Sequence, residues 1–149
     1  MSHQTQEFPA LPDDPIMRAV EDDCITMCQE MIRIPSVNFG EGKGDEKAMA
    51  EYVADRLREV GIASELIVTG ENRVNVVAKI AGSDQSRPGL VVHGHIDVVP
   101  ANPDDWSVDP FGGVIKDGFI WGRGAVDMKD MDAMILATCL LYTSPSPRD

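Results

Sequence analysis

The chain has 149 residues, the length of one ordinary domain, and 43% of them are hydrophobic, which is typical of a globular protein. Its formal net charge at pH 7 is −12. Because nucleic acids and anionic membranes bind basic patches, this charge argues against both as partners. The polar beginning of the chain lacks the basic and apolar segments of a signal peptide, and no apolar run approaches the roughly 18 residues of a membrane span. We therefore expect a cytoplasmic protein.

A polar leader and a first helix are predicted at the start of the chain. The leader covers residues 1–14, and the helix runs from Pro15 to about Arg33, with Asp13 or Asp14 as its N-cap and proline in the permissive first turn. Two cysteines of this helix are in step with its apolar positions, so packing in the core is favoured over a metal or redox role. Those apolar positions are Val20, Cys24, Ile25, Cys28, Met31 and Ile32.

The remaining elements alternate between helices and strands. A glycine-rich loop over residues 36–44 leads to a second helix from about Asp45 to Val60, with Gly61 as its C′ residue. Strands are predicted over residues 64–69 and 74–80, linked as a hairpin by residues 70–73, over residues 90–93, and in a second hairpin over 114–121; a last helix begins near Lys129. Helices flanking mixed strands indicate a layered α/β domain.

Two short motifs carry the chemistry. His95 and Asp97 follow the apolar run of the third predicted strand, and their one-residue gap places both side chains on one side of an extended segment. Asp127 follows a Gly-Arg-Gly turn at the end of another apolar run. Open α/β sheets place their sites at the carboxyl ends of strands. Imidazole nitrogens and carboxylate oxygens are zinc ligands, so the two motifs together predict half of a metal site.

These motifs resemble those of the di-zinc amidohydrolases and exopeptidases that include aminoacylase, acetylornithine deacetylase, succinyl-diaminopimelate desuccinylase and carboxypeptidase G. The segment between them, with Trp106, residues 109–113 and residues 117–121, also resembles that family. The resemblance implies the N-terminal half of a three-layer α/β/α catalytic domain with a mixed sheet, truncated here. On this basis residues 15–138 are the N-terminal part of a metallopeptidase catalytic domain.

The resemblance also implies roles for the motif residues. His95 ligates one of two Zn²⁺ ions, with Co²⁺ or Mn²⁺ as alternative metals; Asp97 supports His95 in catalysis; and Asp127 bridges the two ions. A non-proline cis peptide bond is expected between Asp127 and Met128. One departure is Asp130, which stands where many relatives have glycine.

The family's later residues are missing from this chain. Its general base is a glutamate directly followed by a ligating glutamate, with a further acidic ligand and a histidine later on, whereas the last glutamate here is Glu71 and the last histidine is His95. We therefore expect the chain itself to bind metal poorly and to be inactive. The parent enzyme is expected to cleave amide bonds of N-acyl amino acids, slightly preferred, or of small peptides, and to form a homodimer.

The last eleven residues, 139–149, resemble the codon-by-codon translation of a transposase adapter used in sequencing libraries. The alternative is a natural Ser/Pro-rich tail, which composition alone would favour. The agreement of eleven consecutive codons predicts a non-native tail that begins after Thr138.

Plainer roles stay open for the same residues. His93 is expected to be structural, Asp97 and Asp127 could each cap a turn or helix, and Lys129 is either an ion-pair partner of Asp127 or an exposed helical lysine. Trp106 is expected to pack its loop rather than bind substrate. As whole-chain alternatives, a non-catalytic metal-binding or scaffold protein remains open. A nucleotide-binding enzyme is disfavoured because the glycine pattern at residues 122–124 lacks a third glycine.

Overall fold

A computed structural model describes residues 14–143 of the chain. It contains three α-helices, three antiparallel strand pairs and one 3-10 turn at Pro103–Asp105. The helices are α1 (Pro15–Ile32), α2 (Lys47–Glu59) and α3 (Lys129–Thr143). The paired strands are β1 (Asn38–Gly40) with β2 (Lys43–Gly44), β3 (Ser64–Gly70) with β4 (Arg73–Ala78), and β5 (Val114–Lys116) with β6 (Phe119–Trp121).

The helix boundaries follow the local signals in the sequence. The Asp14 side chain accepts a hydrogen bond from the Ile16 backbone N–H at 2.9 Å, which identifies Asp14 rather than Asp13 as the N-cap of α1. Gly61 follows α2 with φ +78°, the left-handed conformation predicted for a C′ glycine. The predicted polar leader, except for Asp14, and residues 144–149 of the predicted tail lie outside the described residues.

The core lies where α1 packs against α3 and α2. Cys28 is buried as predicted, and burial, assisted by the charge of Asp130, raises the pKa of its thiol to about 11. Ile25 was expected on the same face but is 41% exposed, because α1 buries the neighbouring face that carries Met27. The core residues are Met27, Cys28, Met31, Ile32, Met49, Leu57, Ile62, Ala133, Leu136 and Ala137.

The predicted α/β class is confirmed, and its strands are arranged in pairs. Both predicted hairpins form, and the turn between β5 and β6 has Asp117 at φ 55° and Gly118 at φ 79°, as a tight two-residue hairpin turn requires. Within the described residues every sheet is one of the three antiparallel strand pairs. Outside these pairs, an isolated parallel bridge joins Val37 to Val98.

The strand predicted over residues 90–93 does not form. Leu90 and Val91 are 88% and 84% exposed, and the segment pairs with no strand of the described residues. Its apolar sequence suits a strand that is covered on both faces. That pattern expresses a tendency to be buried, whereas a strand also needs a neighbour to satisfy its backbone hydrogen bonds.

Gly113 and Gly118 provide a matched test of how closely the β5 hairpin packs on α1. Both have positive φ, so alanine is strained at either position by roughly 1–2 kcal/mol. At Gly113 an added Cβ would also lie 2.7 Å from the Gln29 carbonyl oxygen, whereas the space around Gly118 is open. We expect Gly113→Ala to lower the free energy of unfolding by about 1 kcal/mol more than Gly118→Ala does. Urea denaturation followed by circular dichroism measures the difference, and equal losses would contradict the close contact.

Candidate metal centre

The His95 side of the site is held by the segment that follows α1. The Val98 backbone N–H donates to the Ser36 carbonyl at 2.9 Å, and the Asn38 backbone N–H donates to the Val98 carbonyl at 2.8 Å. The Ser36 hydroxyl donates to the carbonyl of Ile96 at 2.5 Å. These bonds fix the backbone of the segment that carries the predicted motif. We call this segment, residues 95–98, the histidine arm.

Asp97 is fixed between an amide and the imidazole. The Asn38 side-chain amide donates to Asp97 Oδ2 at 2.8 Å. His95 Nδ1 lies 3.0 Å from the Asp97 backbone oxygen and 3.3 Å from Asp97 Oδ1. Asp97 therefore touches the ring nitrogen that faces away from Asp127, which is the arrangement that orients a ligating histidine.

The other side of the site, residues 122–128, is called the aspartate arm. Its turn is tied down by the Arg123 backbone N–H, which donates to the Pro110 carbonyl at 2.6 Å. Gly124 has φ +84°, and a Cβ there would lie 2.6 Å from Val98 Cγ1, so glycine allows the aspartate arm to approach the histidine arm. The peptide bond between Asp127 and Met128 is cis, as expected.

The two arms meet at His95 and Asp127, since His95 Nε2 lies 2.9 Å from Asp127 Oδ1. Burial by itself would lower the pKa of His95, but the hydrogen bonds and charges of Asp127 and Asp97 outweigh it, and the pKa lies above its ordinary value. With acceptors at both ring nitrogens, the imidazolium form satisfies every contact. A divalent cation would take the place of the Nε2 proton between the same two groups.

Lys129 has neither of the roles considered from the sequence. It is fully buried, and its ammonium donates to the carbonyls of Met31 at 2.7 Å and Ile34 at 2.9 Å. Burial lowers the pKa of this group to about 8, although the charge of Asp132 acts in the opposite direction. The correction has a physical cause: Met31 in the last turn of α1 and Ile34 just after the helix lack the i+4 donor of a continuing helix, and a cation near a helix C-terminus satisfies their carbonyls.

Asp132 is a second buried charge beside the site. It is 8% exposed, and its Oδ2 has no hydrogen-bond partner among the described residues. Burial raises its pKa to about 6, against the lowering effects of His95 and Lys129. A Cβ on Gly94 would collide with Asp132 Oδ1, so the glycine of the His-Gly-His motif makes room for α3.

A cavity of about 240 Å³ opens where the two arms meet. At its edge the Arg123 guanidinium lies 5.3 Å from the centre of the Trp106 ring, a cation–π contact that supports the expected packing role of this tryptophan. The cavity is lined by His95, Asp97, Val98, Val99, Gly122, Arg123, Gly124, Ala125, Val126 and Asp127.

The donor chemistry of this cavity fits a metal ion of the zinc class. One imidazole nitrogen and one carboxylate oxygen converge, and the second ring nitrogen is already oriented by Asp97. Within residues 14–143 no group of three or more histidine, cysteine, aspartate or glutamate side chains has a geometry that could hold a metal ion. Among the described residues the convergent donors are therefore the pair His95 and Asp127, and their role as metal ligands stays a prediction.

Several residues that build the site were not singled out from the sequence. Ser36 and Asn38 were assigned to a glycine-rich loop, and Asp132 received no role. Met128 was also missed. Its sulfur accepts a hydrogen bond from the His95 backbone N–H at 3.4 Å. The sequence did carry a usable signal for Ser36 and Asn38. A short segment directly after a helix and a proline tends to be extended, so it can pair with another extended segment.

Comparisons with known proteins agree with this geometry. Residues 91–146 match the family model described as peptidase family M20/M25/M40. The chain is 38% identical over 125 residues to a succinyl-diaminopimelate desuccinylase of Methylobacterium radiotolerans, covering 81% of this chain and 30% of that protein. It is 35% identical over 126 residues to a probable succinyl-diaminopimelate desuccinylase of Staphylococcus epidermidis, covering 83% and 29%.

A solved structure shares the fold. The crystal structure of human carnosine dipeptidase 1 matches with a TM-score of 0.68 and 21% sequence identity, over 87% of this chain and 30% of that one. The fold is therefore that of part of a peptidase-type domain. The chain belongs to the M20/M25/M40 peptidase family. It spans about 30% of the length of the relatives that it matches. None of the helices between residues 14 and 143 is long and apolar enough to cross a membrane.

Proposed function

We propose that this chain is the N-terminal part of a metal-dependent amide hydrolase. The observation that carries the proposal is the 2.9 Å approach of His95 Nε2 to Asp127 Oδ1, with Asp97 against the opposite ring nitrogen. The matched family and the desuccinylase relatives support the same reaction class. In this proposal His95 and Asp127 are metal ligands, and Asp97 orients His95.

Two Zn²⁺ ions are the proposed cofactor. When bound, such a pair supplies an activated water and polarises the scissile carbonyl. The protein's own part is to hold the His95 ring through the Asp97 contacts to Nδ1, so that Nε2 points at Asp127 and would accept a metal ion in place of its proton. Asp127 has two carboxylate oxygens, so it can bridge two ions.

The proposed substrates are small molecules with an amide bond, namely N-acyl amino acids or short peptides. The names of the relatives, a succinyl-diaminopimelate desuccinylase and a carnosine dipeptidase, support both kinds. The general base and the remaining ligands implied by the family are absent from this sequence, whose last glutamate is Glu71. We accordingly propose that these 149 residues are inactive by themselves, and that a longer cytoplasmic protein carrying them is the hydrolase.

Metal binding by the chain itself tests the proposed ligands. We expect Co²⁺ to bind weakly but saturably in isothermal titration calorimetry and to shift the ring signals of His95 in NMR spectra of the unsubstituted chain. His95→Ala and Asp127→Asn should each weaken this binding at least about tenfold, because each removes one of the two convergent donors. His93→Ala is the matched control, since His93 does not line the cavity. Binding that survives both ligand substitutions, or that is lost equally in the control, would contradict the proposal.

A further inference from the structure

We propose that residues 31–38, here called the connector, form a positioning element that sets the distance between the two ligand-bearing arms. This inference rests on the proposed function, because it concerns the same His95 and Asp127. It adds a role for residues that neither bind metal nor line the cavity: Ser36 and Asn38 within the connector, and Lys129 at the start of α3.

The connector holds the histidine arm along its backbone. Two backbone hydrogen bonds join Ser36 and Asn38 to Val98, and the Ser36 hydroxyl donates to the Ile96 carbonyl. The Asn38 side chain adds the bond to Asp97 Oδ2. One three-residue stretch of the connector therefore fixes both the backbone of this arm and the carboxylate that orients His95.

The same connector holds the aspartate arm at its other end. Lys129 lies two residues after Asp127 and donates to the carbonyls of Met31 and Ile34. Its side chain is fully buried, so water cannot replace these carbonyls as partners without opening the core. These hydrogen bonds fix the position of Asp127 relative to the end of α1.

The connector is rigid enough for this role. Met31, Ile32 and Ser36 are fully buried, Val37 is 8% exposed, and Pro35 restricts the backbone between them. Besides the His95–Asp127 contact itself, whose geometry is the one to be explained, the direct contacts between the arms are soft: Gly124 lies close to Val98, and the His95 backbone N–H donates to the Met128 sulfur. The approach of His95 to Asp127 thus depends mainly on a third segment that touches both arms.

Co²⁺ binding, measured by isothermal titration calorimetry, tests the inference in the 149-residue chain. We expect Lys129→Met and Asn38→Ala each to weaken binding by about tenfold, the range typical of residues that orient ligands. Leu57→Ala is the control for a general loss of stability, because Leu57 is buried in α2 and lines no part of the cavity. Circular dichroism at the temperature of the titration verifies that each variant is folded. Asn38→Ala removes a part-buried side chain, so it keeps the test decisive if Lys129→Met unfolds.

The outcomes separate the inference from the proposed function. Weakened binding in Lys129→Met or Asn38→Ala, with unchanged binding in Leu57→Ala, supports the connector. If His95→Ala loses Co²⁺ while both connector variants keep it, the metal site stands and the positioning role is refuted. Equal loss in Leu57→Ala also refutes it, because stability alone then explains the effect. An unsubstituted chain that binds no Co²⁺ overturns the metal site and the inference together.

Discussion

Amide hydrolysis by a longer protein that carries this segment is expected to fall at least about 100-fold when His95 is replaced by alanine. The imidazole is one of two donors that converge at 2.9 Å, and no other histidine between residues 14 and 143 lines the cavity. Asp97→Asn should cost roughly 10-fold to 100-fold, because it keeps the shape of the side chain but weakens the contact that orients the ring. Initial rates with an N-acyl amino acid and with a dipeptide measure both effects.

Removal of metal is the companion test of the same prediction. Excess chelator should abolish hydrolysis by the unsubstituted protein, and Zn²⁺ or Co²⁺ should restore it. His93→Ala serves as the control, since it removes a neighbouring imidazole outside the cavity. Undiminished hydrolysis in excess chelator would exclude the proposed mechanism, and loss in His93→Ala equal to that in His95→Ala would exclude the ligand assignment.

Lys129→Met is expected to lower the free energy of unfolding by about 2–4 kcal/mol at pH 7. Methionine fills a similar volume but leaves the Ile34 carbonyl without the Lys129 ammonium and the Met31 carbonyl with the Ile34 backbone N–H alone. Burial of the charged ammonium costs free energy, and this desolvation lowers the pKa of Lys129. Methionine carries no charge to desolvate, so part of the loss is offset. Urea denaturation of the 149-residue chain, followed by circular dichroism, gives the value.

Lys47→Met is the matched control for that substitution. Lys47 is exposed, and its ammonium lies 3.8 Å from Glu51 in a surface pair, so its loss should change stability by less than about 0.5 kcal/mol. Similar losses at the two positions would show that the hydrogen bonds to the α1 carbonyls contribute little.

Local signals in the sequence were sufficient for the three helices, for the β3–β4 and β5–β6 hairpins and for the candidate ligands. Asp14 before a proline defines the start of α1, Gly61 ends α2, and Asp117-Gly118 forms the β5–β6 turn, because each depends on capping or backbone conformation within a few residues. The approach of His95 to Asp127 was predicted because both motifs follow apolar runs and resemble those of a known family. The structure brings these two side chains together, and their role as ligands stays a prediction.

Tertiary structure decided what surrounds these residues. The sequence does not show that Lys129 is buried, because the carbonyls that it satisfies lie more than ninety residues earlier in the chain. Asn38 contacts Asp97 across 59 residues of sequence, and the apolar segment at residues 90–93 stays unpaired because no described strand lies beside it. The identity of the site residues is therefore encoded locally in this protein. The contacts that hold these residues in place come from segments far away in sequence. Only the packing of the folded chain determines which backbone groups there need a hydrogen-bond partner.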